Sequence, residues 1–392
     1  MAEVEGLNLA LRDYQAEAVR AALRHRFGTF VMGTGAGKTL TIAYIVHNLL
    51  KSGAVKRCLI LVPDNGLVTQ FRDELLDQYG VPYKLALFYD KFNTVDPDAQ
   101  ITVANRPLFL SRFDENRKFF VEGVDCLMVD EAHSIKRGNK VSKCIEKMRA
   151  PYRFGFTGTL AEAREDRLKN LGTLGPVRYE ITSKELRDEG FLADVTVHMV
   201  RLRYGEHFAM HRYQEEIEFL QLYIPRNTFL TRLAFKLKNN TLVLVNFLKH
   251  GFELERLFNE QNMFLAESQR KRVYFIRGEV ENDVRDEIKR LMEQEDNVVC
   301  IAITKIFSTG INIKNLHHVV LAAGGKSSVT VVQSIGRGLR LHPNKRELNI
   351  WDISDERYTY SVRHAERRRE IYAKERIRVE DHAIDVGGDK RA

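Results

Sequence analysis

The chain has 392 residues, of which 44% are apolar, so it can bury two ordinary hydrophobic cores. Its 61 lysines and arginines exceed its 53 acidic residues, and the net charge of +8 suits a polyanionic partner as well as a mildly basic soluble protein. The four cysteines form no C-x-x-C pair, and neither a secretory leader nor a run of about 20 apolar residues is present. The cysteines therefore indicate neither a zinc site nor a disulfide framework, no membrane partner is expected, and we expect a soluble, cytoplasmic protein.

Short apolar runs rich in β-forming residues alternate with helical patterns along the chain. This alternation is typical of βαβ units and predicts parallel sheets buried on both faces. Two successive series of runs predict an α/β fold of two tandem domains, each a mostly parallel sheet flanked by helices. The predicted strands are 29–32, 58–62, 101–104, 126–129 and 153–157 in the first series, and 241–245, 273–276, 298–303, 319–322 and 348–351 in the second.

The domain boundary is predicted near residue 193, because Asp188-Glu189-Gly190 resembles a helix end with glycine at its stop. Residues 1–193 would form the first domain and 194–392 the second. Apolar residues at helical spacing on both sides of Pro225 predict a helical segment near 205–240. The charge pattern of residues 363–378 predicts a basic helical tail, either solvated or in contact with phosphate.

A glycine-rich loop lies between the first predicted strand and a helical pattern. Glycines let the backbone curl so that its N–H groups and the helix N-terminus face phosphate. Lys38 would reach the β and γ phosphates of a nucleotide, and the Thr39 hydroxyl would bind Mg²⁺. A strict G-x-x-x-x-G-K-[ST] pattern has glycine where this chain has Met32, so the match is to a shorter T-G-x-G-K-T form. The predicted nucleotide-binding residues of the loop are Gly33, Thr34, Gly35, Ala36, Gly37, Lys38 and Thr39.

Two adjacent carboxylates follow a later predicted strand, in the run LMVDEAH. Asp130 would hold Mg²⁺, and Glu131 would orient and deprotonate the attacking water. Their order and distance after Lys38 favour this role over that of a surface pair. Together the loop and the carboxylates predict an ATP-hydrolysing site with Mg²⁺ as its cofactor.

With D-E-A-H after T-G-x-G-K-T, the chain resembles the superfamily 2 helicases, and further segments match the motifs of that family in order. The resemblance implies two RecA-like domains, with the ATP site in the cleft between them. The segment LRDYQ, residues 11–15, resembles the Q motif. This similarity implies that Arg12 and Gln15 bind ATP, with Gln15 as the contact to the adenine base.

Three more segments of the first domain resemble helicase motifs. The segment around Leu61-Val62-Pro63 is similar to motif Ia, TVANR at 102–106 is similar to motif Ib, and FTGT at 156–159 is similar to motif III, whose hydroxyls link the ATP site to the nucleic-acid track. Loop amides and basic side chains at strand ends can grip phosphates without reading bases. The resemblance implies nucleic-acid contacts at Pro63, Asn65, Asn105 and Arg106.

The second domain carries two further segments of this kind. FSTGINI at 307–313 is similar to motif V, which implies that Gly310 and Asn312 bind ATP and that Thr309 contacts nucleic acid. QSIGRGLR at 333–340 matches motif VI, which implies catalytic roles for Gln333, Arg337 and Arg340. A guanidinium delivered from the opposite domain stabilises the charge of the transition state. Loss of the γ phosphate would then open the cleft and drive motion along a strand.

Within the superfamily, residues 171–194, the segment FSTGINIKNLHHVVLA and the pair Trp351-Asp352 resemble the UvsW-type recombination helicases of phages, with related segments in XPB-like enzymes. This resemblance implies an enzyme that acts on branched or duplex DNA in recombination, repair or replication. Its activities would be fork regression, Holliday junction branch migration and the unwinding of D-loops and R-loops, the last containing an RNA–DNA hybrid. We expect a monomer with recombination or replication proteins as partners, located in the host cytoplasm if the chain is of phage origin.

The sequence leaves several alternatives open. Because the segment that resembles the Q motif begins near residue 11, we expect the chain to lack the small N-terminal domain that UvsW-type and XPB-type proteins place before the motor. Branch recognition is then expected in the second domain, in residues 201–240 or in a partner. An RNA helicase is the first alternative, since 2′-hydroxyl contacts are invisible in a sequence. A duplex-DNA translocase without strand separation is the second. The complete motif set disfavours a non-hydrolysing clamp, and motif VI disfavours a P-loop kinase.

Overall fold

The structure is a computed structural model that describes residues 6–161, 163–205, 210, 212–276, 290, 292–304, 315–322 and 347–386. The chain divides into two compact units, Met1–Leu186 and Arg187–Ala392. This division lies seven residues before the boundary that we predicted from the sequence. In the described parts of the chain, no helix has the length and apolar character needed to cross a membrane.

Strands alternate with helices throughout the first unit. Its strands are β1 (Phe27–Met32), β2 (Cys58–Val62), β3 (Leu85–Phe88), β4 (Ile101–Asn105), β5 (Cys126–Val129), β6 (Tyr152–Thr157) and β7 (Val177–Ile181). Its helices are α1 (Asp13–Arg24), α2 (Lys38–Lys51), α3 (Asn65–Asp73), α4 (Arg106–Arg112), α5 (Arg117–Glu122), α6 (Lys140–Lys147), α7 (Arg164–Leu174) and α8 (Ser183–Asp188), the last of which contains the division between the units. The strands form one parallel sheet in the order β3-β4-β2-β5-β6-β1-β7.

Burial explains why the central strands of this sheet are apolar throughout. Strands β2, β4 and β5 are buried at every residue, as expected when helices cover both faces of a parallel sheet. Helix α2 buries every residue from 40 to 49. Because all the strands run in one direction, the segments that follow β1, β2, β4, β5 and β6 lie along the same edge of the sheet, where ligands of such folds bind.

The second unit repeats this architecture with a different set of elements. Its strands are β8 (Asp194–Tyr204), β9 (Thr241–Val245), β10 (Arg272–Ile276), β11 (Val298–Ile303), β12 (His318–Leu321), β13 (Glu347–Asp355) and β14 (Arg378–Val386). Its described helices are α9 (Tyr213–Leu222), α10 (Ile224–Lys236), α11 (Leu248–Phe264) and α12 (Thr359–Lys374). The strands pair in parallel in the order β10-β11-β9-β12-β13-β8-β14.

The predicted fold class is confirmed: each unit is built on a parallel sheet with flanking helices. All ten predicted strands lie on strands of the structure, and β3, β7, β8 and β14 were not predicted. Helices α9 and α10 occupy the segment near 205–240 that was predicted to be helical. In the predicted helical tail, α12 ends at Lys374 and strand β14 begins at Arg378.

Candidate ATP site at the strand ends of the first unit

The glycine-rich loop, residues 33–37, connects β1 to α2. Gly33 N–H donates to the carbonyl of Ile181 at 2.9 Å, and Ala36 N–H donates to the carbonyl of Gly33 at 3.0 Å. Gly35 and Gly37 have φ angles of +86° and +76°, in the left-handed region that favours glycine. The start of α2 points its amide N–H groups into this loop, and these groups have no acceptor within the helix. The loop can therefore bind an anion such as a nucleotide phosphate.

Met32 shows why the chain tolerates a departure from the strict loop pattern. It is the last residue of β1, and its side chain is fully buried, so an apolar residue fits where the strict pattern has glycine. Its carbonyl accepts a hydrogen bond from Nζ of Lys38 at 3.4 Å. The Lys38 amine therefore lies over the loop, and the half-buried Thr39 follows it in the first turn of α2.

The predicted Q-motif residues are attached to this loop through α1. The Gln15 side chain is buried, and its Nε2 donates to the carbonyl of Ala36 at 2.9 Å. Its Oε1 accepts the backbone N–H of Arg12 at 3.0 Å, and the Tyr14 hydroxyl donates to the same Ala36 carbonyl at 3.1 Å. A Cβ atom on Gly37 would lie 2.4 Å from Gln15 Nε2, so these two positions are packed together. The contact of Gln15 with adenine stays a prediction.

Asp130 presents an unusual carboxylate directly after β5. Its backbone N–H donates to the carbonyl of Leu61 at 2.9 Å, which fixes the residue at the strand end. The side chain is buried, and among the described residues its Oδ1 has no hydrogen-bond partner. Burial, together with the nearby charge of Glu131, raises the pKa of Asp130 to about 6. A buried carboxylate oxygen without a partner is costly, and a divalent cation would satisfy it, so this residue fits Mg²⁺.

Glu131 has the opposite electrostatic character. It adopts a left-handed backbone conformation with φ of +48°, and its Oε2 lies 3.3 Å from Nδ1 of His133. Burial alone would raise its pKa, but the hydrogen bond from His133 and the charge of Lys38 lower the pKa of Glu131 to about 2. Two neighbouring carboxyl groups thus have pKa values pushed apart by their surroundings, an arrangement common at catalytic sites.

A short hydrogen-bond chain connects these carboxylates to β6. His133 Nδ1 also lies 3.0 Å from Oγ1 of Thr157, whose own hydroxyl donates to the carbonyl of Thr159 at 2.7 Å. Since the Thr157 proton is engaged at Thr159, Thr157 accepts from His133. Strand β6 lies between β5 and β1 in the sheet, so the segment resembling motif III lies between the carboxylates and the glycine-rich loop.

Two of the predicted nucleic-acid residues meet at the ends of β2 and β4. Asn105 caps α4, where its Oδ1 accepts the N–H of Leu108 at 2.8 Å, and its Nδ2 donates to the Asn65 side chain. Asn65 is exposed and Pro63 is half-buried. The two strands are direct neighbours, so these residues lie along one stretch of the sheet edge. Their contact with nucleic acid stays a prediction.

Arg106 has partners that the sequence did not indicate. Its side chain is 8% exposed, and the guanidinium donates to the backbone carbonyl of Asp130 at 3.0 Å and to the hydroxyl of Ser134. Burial lowers its pKa, although the charges of Asp130 and Glu131 act in the opposite direction. Arg106 could therefore contact nucleic acid only by leaving these partners. An arginine directly after a buried strand was the one available signal of this arrangement.

Six predicted site residues lie outside the part of the chain that the structure describes. They belong to the segments resembling motifs V and VI, and their predicted roles stay predictions. These residues are Thr309, Gly310, Asn312, Gln333, Arg337 and Arg340.

Comparison with protein families finds two matches, one in each unit. Residues 8–162 match the family described as the res subunit of type III restriction enzymes. Residues 226–342 match the family described as the helicase conserved C-terminal domain. Together the two matches include the glycine-rich loop, the carboxylate pair and the segments that resemble motifs V and VI.

Individual proteins with similar sequences include DNA helicases. The chain is 30% identical to the ATP-dependent DNA helicase uvsW of Enterobacteria phage T4 over 354 residues, which cover 87% of this chain and 68% of that protein. It is 30% identical to the DNA 3'-5' translocase XPB2 of Sulfurisphaera tokodaii over 189 residues, covering 45% of this chain and 37% of that protein. A solved fragment described as an HsdR subunit of a type I restriction enzyme from Vibrio vulnificus covers 97% of this chain with a TM-score of 0.71 and 21% identity; the match spans 70% of that fragment. This last likeness shows the fold alone.

Proposed function

The chain belongs to the superfamily 2 helicases as an ATP-dependent DNA helicase of the UvsW type, and from this premise we propose that it uses ATP hydrolysis to remodel branched DNA. The observation that carries the proposal is the 30% identity to the phage T4 DNA helicase across 87% of the chain, which includes both units. The expected reactions are fork regression, branch migration of four-way junctions and removal of D-loops and R-loops. The similarity to relatives named for DNA favours DNA over RNA as the substrate.

In the proposed ATP site, the loop of residues 33–37 and the Lys38 amine bind the β and γ phosphates. This assignment is supported by the left-handed glycines of the loop and by the position of Lys38 over it. Gln15 and Tyr14 hold the loop through the carbonyl of Ala36. Thr39 and Asp130 are the proposed Mg²⁺ ligands, supported by the unpartnered Oδ1 of Asp130. Bound Mg²⁺ supplies positive charge that polarises the transferring phosphoryl group.

Glu131 is the proposed partner of the attacking water. With a pKa of about 2 it is ionised and accepts a hydrogen bond from that water, which orients the oxygen toward the γ phosphorus. Part of the low pKa comes from the charge of Lys38. When the triphosphate binds, its negative charge offsets the positive charge of Lys38. The pKa of Glu131 therefore rises, and the carboxylate becomes a better proton acceptor. Arg337 and Arg340 are proposed to add positive charge in the transition state.

The proposal is tested with fluorescently labelled four-way junctions and replication-fork analogues incubated with the protein and ATP. We expect ATP-dependent conversion of both substrates to their migrated or regressed products, and no conversion with ADP or with the Lys38→Ala variant. Lys51→Ala serves as the matched control, because Lys51 is the exposed lysine at the other end of α2. Unwinding of linear partial duplexes without conversion of junctions or forks would contradict the branched-DNA proposal. If the protein displaces a third strand from duplex DNA but converts none of the other substrates, the result would favour a translocase that does not separate strands.

A further inference from the structure

A cluster of metal-ligand side chains lies on the second unit, outside every helicase motif. Strand β8 pairs with β13 on one side and with β14 on the other, and His198 of β8 lies opposite both Trp351 and Glu380. Side chains of alternate residues share a face of a sheet, so His382 lies on the same face as Glu380. Among the residues that the structure describes, His198, Glu380 and His382 form the one group of three suited to hold a metal ion.

The distances within this cluster match those between ligands of a bound ion. His198 Nδ1 lies 3.1 Å from Nε2 of His382 and 3.4 Å from Oε2 of Glu380, and all three donor atoms lie within 4.8 Å of one another. With metal–ligand bonds of about 2.0–2.1 Å, the two shorter separations correspond to angles of about 100° and 110° at the metal, close to tetrahedral. The Glu380 side chain is 35% exposed, so its carboxylate has room to move and shorten the third separation.

Neighbouring side chains orient the proposed ligands. His198 Nε2 donates to Oδ1 of Asn349 at 2.9 Å, and Nδ1 is the ring nitrogen that faces His382 and Glu380. Metal-binding histidines characteristically donate their second ring nitrogen in this way, which fixes the tautomer. The His198 ring also stacks on Trp351, with centroids 4.2 Å apart and an angle of 16° between the planes. The second carboxylate oxygen of Glu380 pairs with Arg378 at 2.7 Å.

We propose that His198, Glu380 and His382 bind one divalent cation of the zinc type. Two imidazoles and one carboxylate suit zinc and neighbouring transition metals, whereas Mg²⁺ and Ca²⁺ prefer sites made of oxygen ligands only. The cluster is half-buried, so the ion can enter from solvent and a water can take the fourth position. This site is separate in residues and in metal preference from the Mg²⁺ site proposed for ATP.

The ion would act as a clamp on β14. Within the described residues, β14 is the last strand of its sheet and pairs only with β8. Both Glu380 and His382 belong to β14, whereas His198 belongs to β8, so a shared ion links the edge strand to its neighbour. Because a ligand that binds the folded protein stabilises it by mass action, zinc should raise the thermal unfolding temperature.

The test is a titration of the chelator-treated full chain with Co²⁺, in excess Mg²⁺ so that oxygen-rich sites are filled. We expect one Co²⁺ per chain with the visible absorption of a tetrahedral ion, its displacement by Zn²⁺, and a rise in unfolding temperature with Zn²⁺. His382→Ala and Glu380→Gln should abolish all three signals, and Asn349→Ala should weaken the affinity by about 10- to 100-fold.

Two variants serve as controls for this titration. Asp385→Asn removes an exposed carboxylate of β14 from the opposite face, and His25→Ala removes a histidine of the first unit; both should bind Co²⁺ as the unaltered chain does. Circular dichroism of each variant shows whether it is folded. If His382→Ala fails to fold, the Co²⁺ titrations of Glu380→Gln and of the unaltered chain decide whether the site binds a metal ion. Absence of stoichiometric Co²⁺ binding to the unaltered chain, or undiminished binding by a folded His382→Ala variant, would overturn the proposal and leave a hydrogen-bonded histidine pair.

Discussion

Asp130 is held where its charge is unfavourable for the folded protein. Its pKa of about 6, in place of the ordinary aspartate value, means that the folded state binds the proton more tightly than the unfolded chain does. The contribution of Asp130 to the free energy of unfolding should therefore fall as the pH rises from about 4 to 6, by up to roughly 3 kcal/mol. Such a cost persists in a protein when function requires it, which agrees with a role in binding Mg²⁺ and ATP.

Replacing this carboxylate should separate stability from function. We expect Asp130→Asn to raise the free energy of unfolding by about 1–3 kcal/mol at neutral pH and to abolish ATP hydrolysis. The gain should disappear below about pH 4, where Asp130 is protonated in both states of the unaltered chain. Denaturant unfolding in Mg²⁺-free buffer at several pH values measures this difference. Asp125→Asn is the control and should destabilise, because Asp125 accepts two backbone N–H groups at 2.7 and 3.0 Å; a destabilised Asp130→Asn would contradict the account.

Arg106 is expected to be a positioning residue for Asp130. Arg106→Gln would leave the carbonyl of Asp130 without its partner at 3.0 Å and should lower the free energy of unfolding by about 1–3 kcal/mol. It would also remove a positive charge that lowers the pKa of Asp130, so the acidic limb of the pH profile of kcat/KM should move to higher pH.

The pH profile is the readout that a purely structural role of Arg106 would not change. Arg112→Gln is the matched control, since Arg112 lies at the exposed end of the same helix and pairs with Glu115. A loss of stability with an unshifted acidic limb would show that Arg106 acts on the fold alone.

At the level of single residues, the sequence indicates the position of those that follow a local pattern, and their proposed roles stay predictions. Asp130 and Glu131 directly follow the apolar strand β5, and Lys38 begins α2 after the glycine-rich loop that follows β1; such local patterns can be read directly from the sequence. The hydrogen bonds from Arg106 to Asp130 and from Gln15 to Ala36 join positions 24 and 21 residues apart, so no local sequence pattern predicts them. They depend on which strands become neighbours.

At the level of elements, three of the four strands that were not predicted, β3, β7 and β14, lie at the edges of their sheets. Strand β14 has the sequence RVEDHAIDV and is exposed or half-buried at all but its last residue, as is common for an edge strand. Strands β3 and β7 also lie at the edges of their sheet. Strand β8 contains the run VTVHMV. We did not predict it, because polar residues interrupt the run and because the strand lies at the domain boundary. Among the described strands, predictions from apolar runs therefore missed three of the four edge strands, β3, β7 and β14, and the inner strand β8, but succeeded for the edge strand β10.

Helix α12 shows a related failure, since a basic run resembled a solvated helix. Arg368 is 1% exposed, and its Nε donates to Oδ2 of Asp352 on β13 at 2.8 Å. The Tyr372 hydroxyl donates to the same oxygen at 2.8 Å. One face of the helix is thus attached to the sheet through a buried carboxylate.

Two adjacent arginines of this helix should differ strongly in their effect on stability. Arg368→Ala leaves the buried carboxylate of Asp352 without its cationic partner and should lower the free energy of unfolding by about 3–5 kcal/mol. Arg369→Ala breaks only an exposed pair with Asp381 and should cost at most about 1 kcal/mol. Thermal or denaturant unfolding of both variants measures the contrast. Equal effects of the two substitutions would show that the buried pair does not anchor α12.

At the level of the whole molecule, two similar parallel sheets carry different parts of the proposed chemistry. The first unit contains the phosphate loop and both carboxylates, whereas the predicted arginine fingers belong to the second. We expect Arg337→Ala to leave ATP affinity within a fewfold of normal and to lower kcat by on the order of 10³-fold, because its charge is needed only in the transition state. Equilibrium binding of a fluorescent ATP analogue and steady-state kinetics separate the two effects. Equal losses of binding and turnover would contradict a transition-state role.

The most direct test of the central claim is the rate of ATP hydrolysis with different nucleic acids. Single-stranded DNA, linear duplex, forked DNA, a four-way junction, an R-loop and single-stranded RNA are compared, with Lys38→Ala as the blank. The account predicts hydrolysis stimulated several-fold more by forks and junctions than by linear DNA, and none in the blank. Equal stimulation by every DNA would contradict recognition of branched DNA within these two units, and stimulation by RNA alone would contradict the assignment to DNA.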